Sequence, residues 1–122
     1  MANSTVLIPF SGSTQGKAIK VAATATAGTL IHTTGTSATV IDRIYLFAFN
    51  SDTADRLLTV EFGGASAPDQ NIVLNIPFKQ GLVLVVDGLP LLGDGAAALT
   101  VKAFAATTNV VTISGYVLRI TP

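Results

Sequence analysis

The chain has 122 residues and no cysteine, and its seven Lys plus Arg balance seven Asp plus Glu, so the formal net charge is zero. One domain of this length buries enough surface to fold without metal or disulfide, and the lack of cysteine excludes thiolate catalysis and cysteine-based zinc sites while leaving the redox compartment open. Charged residues make up only 11%, against ~25% in ordinary soluble domains, and the cations are scattered singly rather than in the stripe a phosphate backbone needs, which excludes nucleic acid as a partner.

Hydrophobic residues reach 49% and the mean hydropathy is positive, so surplus apolar surface has to be covered by a membrane or by protein. The longest apolar stretches, around residues 44–49 and 82–86, fall far short of the ~20 residues of a spanning helix. The absence of Trp and the presence of only two Tyr leave a transmembrane barrel without its aromatic girdles. Protein interface is therefore the expected use. The first residues lack the basic and apolar regions of a secretory signal, so the expected place of synthesis and use is a cytoplasm.

Residues 1–17 read as an extended N-terminal arm: an apolar patch, Val6-Leu7-Ile8-Pro9-Phe10, ahead of a Ser/Gly/Thr/Gln stretch. An apolar tip on a flexible stem suits reaching a neighbouring subunit, and Val6, Leu7, Ile8 and Phe10 are the candidate contact residues. An edge strand or a frayed terminus fits the same residues. Gly12-Ser13-Thr14-Gln15-Gly16-Lys17 has three residues between its glycines where a phosphate-binding loop requires four, and Ala18 stands where Ser or Thr would hold Mg²⁺, so this stretch reads as a flexible linker.

Residues 18–122 read as a single all-β domain. Val, Ile, Thr and Phe concentrate in short runs divided by Gly, Asn, Asp and Pro, giving strands at 18–22, 29–34, 39–50, 57–62, 71–77, 82–86, 99–105 and 110–120. Asn50-Ser51-Asp52, Gly63-Gly64, Pro68-Asp69, Lys79-Gln80-Gly81, Asp87-Gly88, Gly93-Asp94-Gly95 and Thr107-Thr108-Asn109 supply the turns. Eight short strands at this spacing predict an antiparallel β-sandwich, jelly-roll-like in topology. No capped 3.6-residue periodicity predicts a helix.

Two strands are apolar on both faces. Ile44, Leu46 and Ala48 alternate with Tyr45, Phe47 and Phe49, and Val111, Ile113 and Val117 lie opposite Val110, Tyr116, Leu118 and Ile120. An antiparallel sandwich wets one face of each sheet. The second apolar face, with Tyr45, Phe47, Phe49, Tyr116 and Leu118 as its candidate residues, therefore wants a cover, either another copy of the chain in a closed homo-oligomer or the chain's own N-terminal segment folded back.

No reactive constellation emerges, and no catalytic, metal or cofactor residue is expected. His32 is the sole histidine, where imidazole metal sites recruit two or three, so its expected role is structural. No Gly-x-Ser-x-Gly elbow supports a nucleophilic serine. The carboxylates fall mostly in turns, where Asp accepts backbone N–H bonds; Asp52 and Asp55 lack the alternating oxygen ligands of a calcium loop. A carbohydrate site remains the rival, because jelly rolls host lectins, but Tyr45 and Tyr116 sit inside apolar runs and suit core or interface better.

The run Ile41-Asp42-Arg43-Ile44-Tyr45-Leu46, with Leu58-Thr59-Val60-Glu61-Phe62-Gly63-Gly64, Ile76-Pro77, Val101-Lys102-Ala103-Phe104-Ala105 and Gly115-Tyr116-Val117, resembles a group of small tailed-bacteriophage virion proteins. The likeness spans residues 29–120 and consists of packing and turn motifs. It implies a capsid decoration or cement protein: a homotrimer that binds the major capsid protein of the assembled shell, located in a virion put together in the bacterial cytoplasm. No catalytic residue carries over. The alternative it leaves open is a tail, neck or head-fibre component with a carbohydrate-binding, host-attachment sandwich.

Overall fold

The computed structural model describes residues 3–122, and among these it contains strands and turns but no helix. The strands are β1 (Ser4–Ile8), β2 (Ile19–Lys20), β3 (Thr29–Thr33), β4 (Ile41–Asn50), β5 (Arg56–Phe62), β6 (Asn71–Ile76), β7 (Val83–Leu91), β8 (Thr100–Ala105) and β9 (Val111–Thr121). They form two antiparallel sheets. Sheet A runs β1-β9-β4-β7, with β2 also on β9, and sheet B runs β3-β8-β5-β6.

Alternation along the strands explains why the sheets share one core. From sheet A, Ile44, Leu46, Ala48, Val111, Ile113 and Val117 turn inward; from sheet B, Leu58, Val60, Val101, Ala103 and Ala105 meet them, all at most 1% exposed. At ~1.5–3 kcal/mol for each fully buried aliphatic side chain, this layer is the main support of the fold, as a cysteine-free chain requires.

Three local features depart from the sequence reading. The N-terminal segment is seated on the domain as the edge strand that is the alternative to an arm: β1 pairs with β9 from Ser4↔Thr121 to Ile8↔Val117, and Phe10, expected at an exposed arm tip, is 3% exposed in the core. Its ring fits over Gly115, where a Cβ would crowd both Phe10 and the Tyr45 backbone. The glycine-rich stretch expected as a flexible linker is an ordered turn, with Ser13 N–H donating to Phe10 O (3.0 Å), Gly12 N–H to Ile31 O (2.9 Å) and Lys17 N–H to Thr14 O (3.0 Å).

Asp87-Gly88, expected as a turn, lies inside β7, which continues to Leu91. Ile44 pairs with Leu89 and Tyr45 with Asp87, so Gly88 is the extra residue of a bulge. Its φ of 78° suits glycine, and a Cβ there would meet the side chains of Arg43 and Tyr45. A turn dipeptide within a longer run of strand formers thus bends the strand instead of ending it.

Candidate functional site

Paired residues of neighbouring strands project from the same side of a sheet, so the register of sheet A places its outward side chains in rows. Leu7, Leu118 and Arg43 make one row; Tyr116, Tyr45 and Asp87 the next; Ser114, Phe47 and Leu84 a third; and Thr112 with Phe49 a fourth. The five residues singled out from the sequence, Tyr45, Phe47, Phe49, Tyr116 and Leu118, therefore share one outer face. Each is half-buried, and Leu7 (64% exposed) and Leu84 (47%) extend the apolar surface toward the two edges. Of the N-terminal candidates, Val6 and Leu7 are exposed, Ile8 is half-buried, and Phe10 belongs to the core.

At the centre of this face the Tyr45 and Tyr116 rings stack, with centroids 4.8 Å apart and planes 15° apart, and the Arg43 guanidinium lies over Tyr45 at 5.8 Å. Arg43 is fixed in turn by its Nε–H, which donates to Gly88 O at 3.1 Å. The β7 bulge thus sets the cation over the Tyr45 ring. Such stacking and cation–π contacts contribute ~0.5–1.5 kcal/mol beyond area burial, enough to hold the rings in one arrangement before any partner arrives.

The polar chemistry lies on the opposite side of the same sheet. Asp42 and His32 are each 1% exposed. His32 Nδ1 accepts the Ser11 backbone N–H at 3.1 Å, so the ring proton of the neutral imidazole resides on Nε2, which donates to Asp42 Oδ2 at 2.8 Å. Arg119 completes the cluster with Nε–H to Asp42 Oδ1 (2.8 Å) and a terminal N–H to Oδ2 (2.9 Å). Burial on its own pushes Asp42 up, but the hydrogen bonds from Arg119 and His32, and then their charges, outweigh it and hold the carboxyl below its ordinary 3.8. The Asp42 hydrogen bond likewise raises Arg119 against a smaller opposing effect of burial.

A serine, a histidine and an aspartate therefore lie together, in an arrangement unsuited to nucleophilic catalysis. The group facing Nδ1 is the Ser11 amide rather than its hydroxyl, and Ser11 Oγ instead accepts the Thr33 N–H at 2.7 Å. With no lone pair of the imidazole aimed at a hydroxyl, the ring cannot take a proton from one. The remaining buried polar groups also work as ties. Asn50 Nδ2 donates to Ala54 O and Ile76 O, both at 2.9 Å, and Glu61 accepts from Thr26 Oγ1 (2.8 Å) and Gly28 N (2.7 Å).

Asp42, Arg119 and Glu61 were not singled out from the sequence. The parity of β4 carries the signal for Asp42, since it falls in step with the inward Ile44, Leu46 and Ala48, and Arg119 falls in step with Val117. Asp52, considered for calcium, is instead paired with Arg56 at 2.6 Å. Among the described residues no cluster of three or more His, Cys, Asp or Glu side chains has metal-binding geometry. Comparison with protein-family models, curated proteins and solved structures finds no match to this chain.

Proposed function

We propose that the chain is a non-catalytic structural protein of a tailed-phage virion, one that assembles as a homotrimer and decorates the capsid by binding the major capsid protein of the assembled shell. The observation that carries this reading is the outer face of sheet A, where Tyr45, Phe47, Phe49, Tyr116 and Leu118 lie side by side as an apolar surface rimmed by the exposed Leu7 and Leu84. Contiguous apolar surface of this kind marks protein contact, and its rigid strands and pre-stacked aromatics suit the well-packed anchors of an interface. The phage assignment itself rests on the motif resemblance.

The strand order supports a jelly roll. β1 and β2 lie along one edge of β9, so they count as one interrupted strand, and eight strands result. Numbered that way, sheet A reads 1-8-3-6 and sheet B 2-7-4-5, the alternation produced by rolling up a long antiparallel hairpin. This architecture serves viral capsid and lectin domains alike.

Host attachment through a sugar site is the rival role, and the tyrosines serve it poorly. Tyr116 takes one face of Tyr45 and Arg43 lies over the ring, which leaves a sugar little open aromatic plane. Cementing, in contrast, needs no reactive group. A protein that binds only assembled shell stabilises it by about 2.7 kcal/mol per site at a hundred times its Kd, multiplied over many sites.

The test is absolute mass by light scattering, alone and after mixing with shells assembled from the major capsid protein encoded with this chain. A trimer that co-elutes with shells in fixed ratio, with no effect of added glycans, is expected. A monomer that ignores the shells overturns the reading, and glycan-dependent retention moves the protein to the attachment role.

A further inference from the structure

We propose that His32 is a proton-operated latch for the N-terminal strand: protonation of its Nδ1 expels the Ser11 amide, opens the turn at residues 10–13 and frees β1 from β9. The two nitrogens of His32 have fixed and different duties. Nε2–H is committed to Asp42 at 2.8 Å, and Nδ1 is a buried acceptor whose partner, the Ser11 N–H, can only donate. A proton arriving at Nδ1 puts two donors face to face in a site 1% exposed. One of them has to leave, because an unpartnered buried donor is costly.

The imidazole is the better held of the two. It is part of β3, whose pairing with β8 sets His32 opposite Val101, and its charged form remains attracted to Asp42. The charged groups that meet it among the described residues are Asp42 from β4 and, through Asp42, Arg119 from β9. β8 faces it with Val101, and the N-terminal segment with Phe10, whose ring centroid lies 6.0 Å away, and Ser11. Arg119 shares Asp42, so the attraction of the charged ring to that carboxylate holds the imidazole in place without making up for the lost Ser11 bond.

The turn is the side that moves, and its cost is the withdrawal of the buried Phe10 ring from its place over Gly115. Besides the His32 bond it is held on β3 by Gly12 N–H to Ile31 O (2.9 Å) and Thr33 N–H to Ser11 Oγ (2.7 Å). Beyond it, Pro9 leads into β1, where Ser4 to Leu7 are all exposed and a backbone ladder to β9 is the main attachment. A strand that buries so little belongs to the low-stability end of the molecule, so freeing its anchor at residues 10–13 frees the strand. The sign follows from proton counting: the open form binds one more proton, so the closed form is favoured as pH rises, by up to tenfold in population per pH unit.

Amide hydrogen exchange on the full chain, corrected for the intrinsic pH dependence of exchange, tests the latch. Between pH 7.5 and pH 5, protection at Gly12, in β1 and at those residues of β9 117–121 whose N–H faces β1 is expected to fall about tenfold or more, with Leu46 in β4 unchanged. The His32 ring nitrogen shifts, followed by NMR in the same samples, are expected to report protonation of Nδ1 only as protection at these amides is lost. His32→Gln, which cannot take up a proton, is expected to show no pH dependence at these amides. Wild-type protection that stays constant, whether or not His32 titrates, overturns the proposal, as does pH dependence that persists in His32→Gln. Should that variant fail to fold, the wild type decides: Nδ1 protonation with protection retained at these amides overturns the proposal, and the joint loss of both supports it.

Discussion

The outer faces of the two sheets are finished in different ways. On sheet B, Thr59 and Glu61 point away from the core yet are only 7% and 2% exposed, and residues 26–28 cross over Glu61. Glu61 holds that crossing with bonds from Thr26 and Gly28, and Gly28 lies so close to the Ala103 backbone that no side chain fits between them. On sheet A the corresponding face carries Tyr45, Phe47, Phe49, Tyr116 and Leu118, and among the described residues no hydrogen bond ties a strap across it. Where the chain covers itself it uses a carboxylate with fixed, directional partners. The face of sheet A offers a continuous aromatic and aliphatic area, which suits a cover brought by another molecule, while sheet B away from the crossing exposes Leu57 (51%) and Val73 (55%).

Both faces depend on the core between them, and the largest expected effect lies there. Asp42→Ala strips His32 and Arg119 of their common acceptor, and breaking a buried pair in this way costs roughly 3–5 kcal/mol. The low end applies, because Arg119 keeps 35% of its side chain in water and recovers part of its solvation. A urea unfolding midpoint equal to that of the wild type would break the account of the core. On the open face, Phe47→Lys is expected to leave the chain folded, with stability within about 0.5 kcal/mol, and to weaken self-association by about a hundredfold, as loss of an interface anchor does. Unchanged mass across a dilution series would remove sheet A as the interface.

Glu61→Ala sharpens the contrast from the covered side. It leaves the Gly28 N–H and the Thr26 hydroxyl without their acceptor, an expected cost of about 1–3 kcal/mol, together with faster exchange of the Gly28 amide. Oligomer mass is expected to stay the same. If this variant changed assembly as strongly as Phe47→Lys, the two faces would not be functionally distinct.

Much of the architecture is written in short-range patterns. The alternation of Ile44, Leu46 and Ala48 with Tyr45, Phe47 and Phe49 marks a strand with two apolar sides, and the structure places these sets on opposite faces of sheet A. The turn residues delimit most strands within one or two positions. Less legible are features decided by tertiary partners. Gly88 has the composition of a turn, but β4 on its flank keeps the ladder going through it. Phe10 looks like the end of an apolar arm, and its fate depends on Gly115, more than a hundred residues later in the chain, leaving space for its ring. The Asp42 cluster joins β3, β4 and β9, so parity could have turned Asp42 inward, but nothing local names His32 and Arg119 as its partners.

The smallest effect separates the acid response of the core from that of the N-terminal latch. Asp42 has its folded-state value below the unfolded 3.8, because the Arg119 and His32 bonds overcome the upward push of burial. A depressed carboxylate contributes stability that is fully present above the unfolded value and is lost as pH falls through the folded one. Global stability is therefore expected to drop below about pH 4 by this route, and Asp42→Asn, which has no proton to gain, is expected to flatten the stability curve there relative to wild type. Half-buried Asp52 and exposed Asp94 are lowered too, by backbone bonds from Thr53 and from Ala97 and Ala96 respectively, so the informative quantity is the difference between the two curves. Identical slopes below pH 4 would mean that Asp42 keeps its partners when protonated, and the core would then rest on the shape of the cluster more than on its charge.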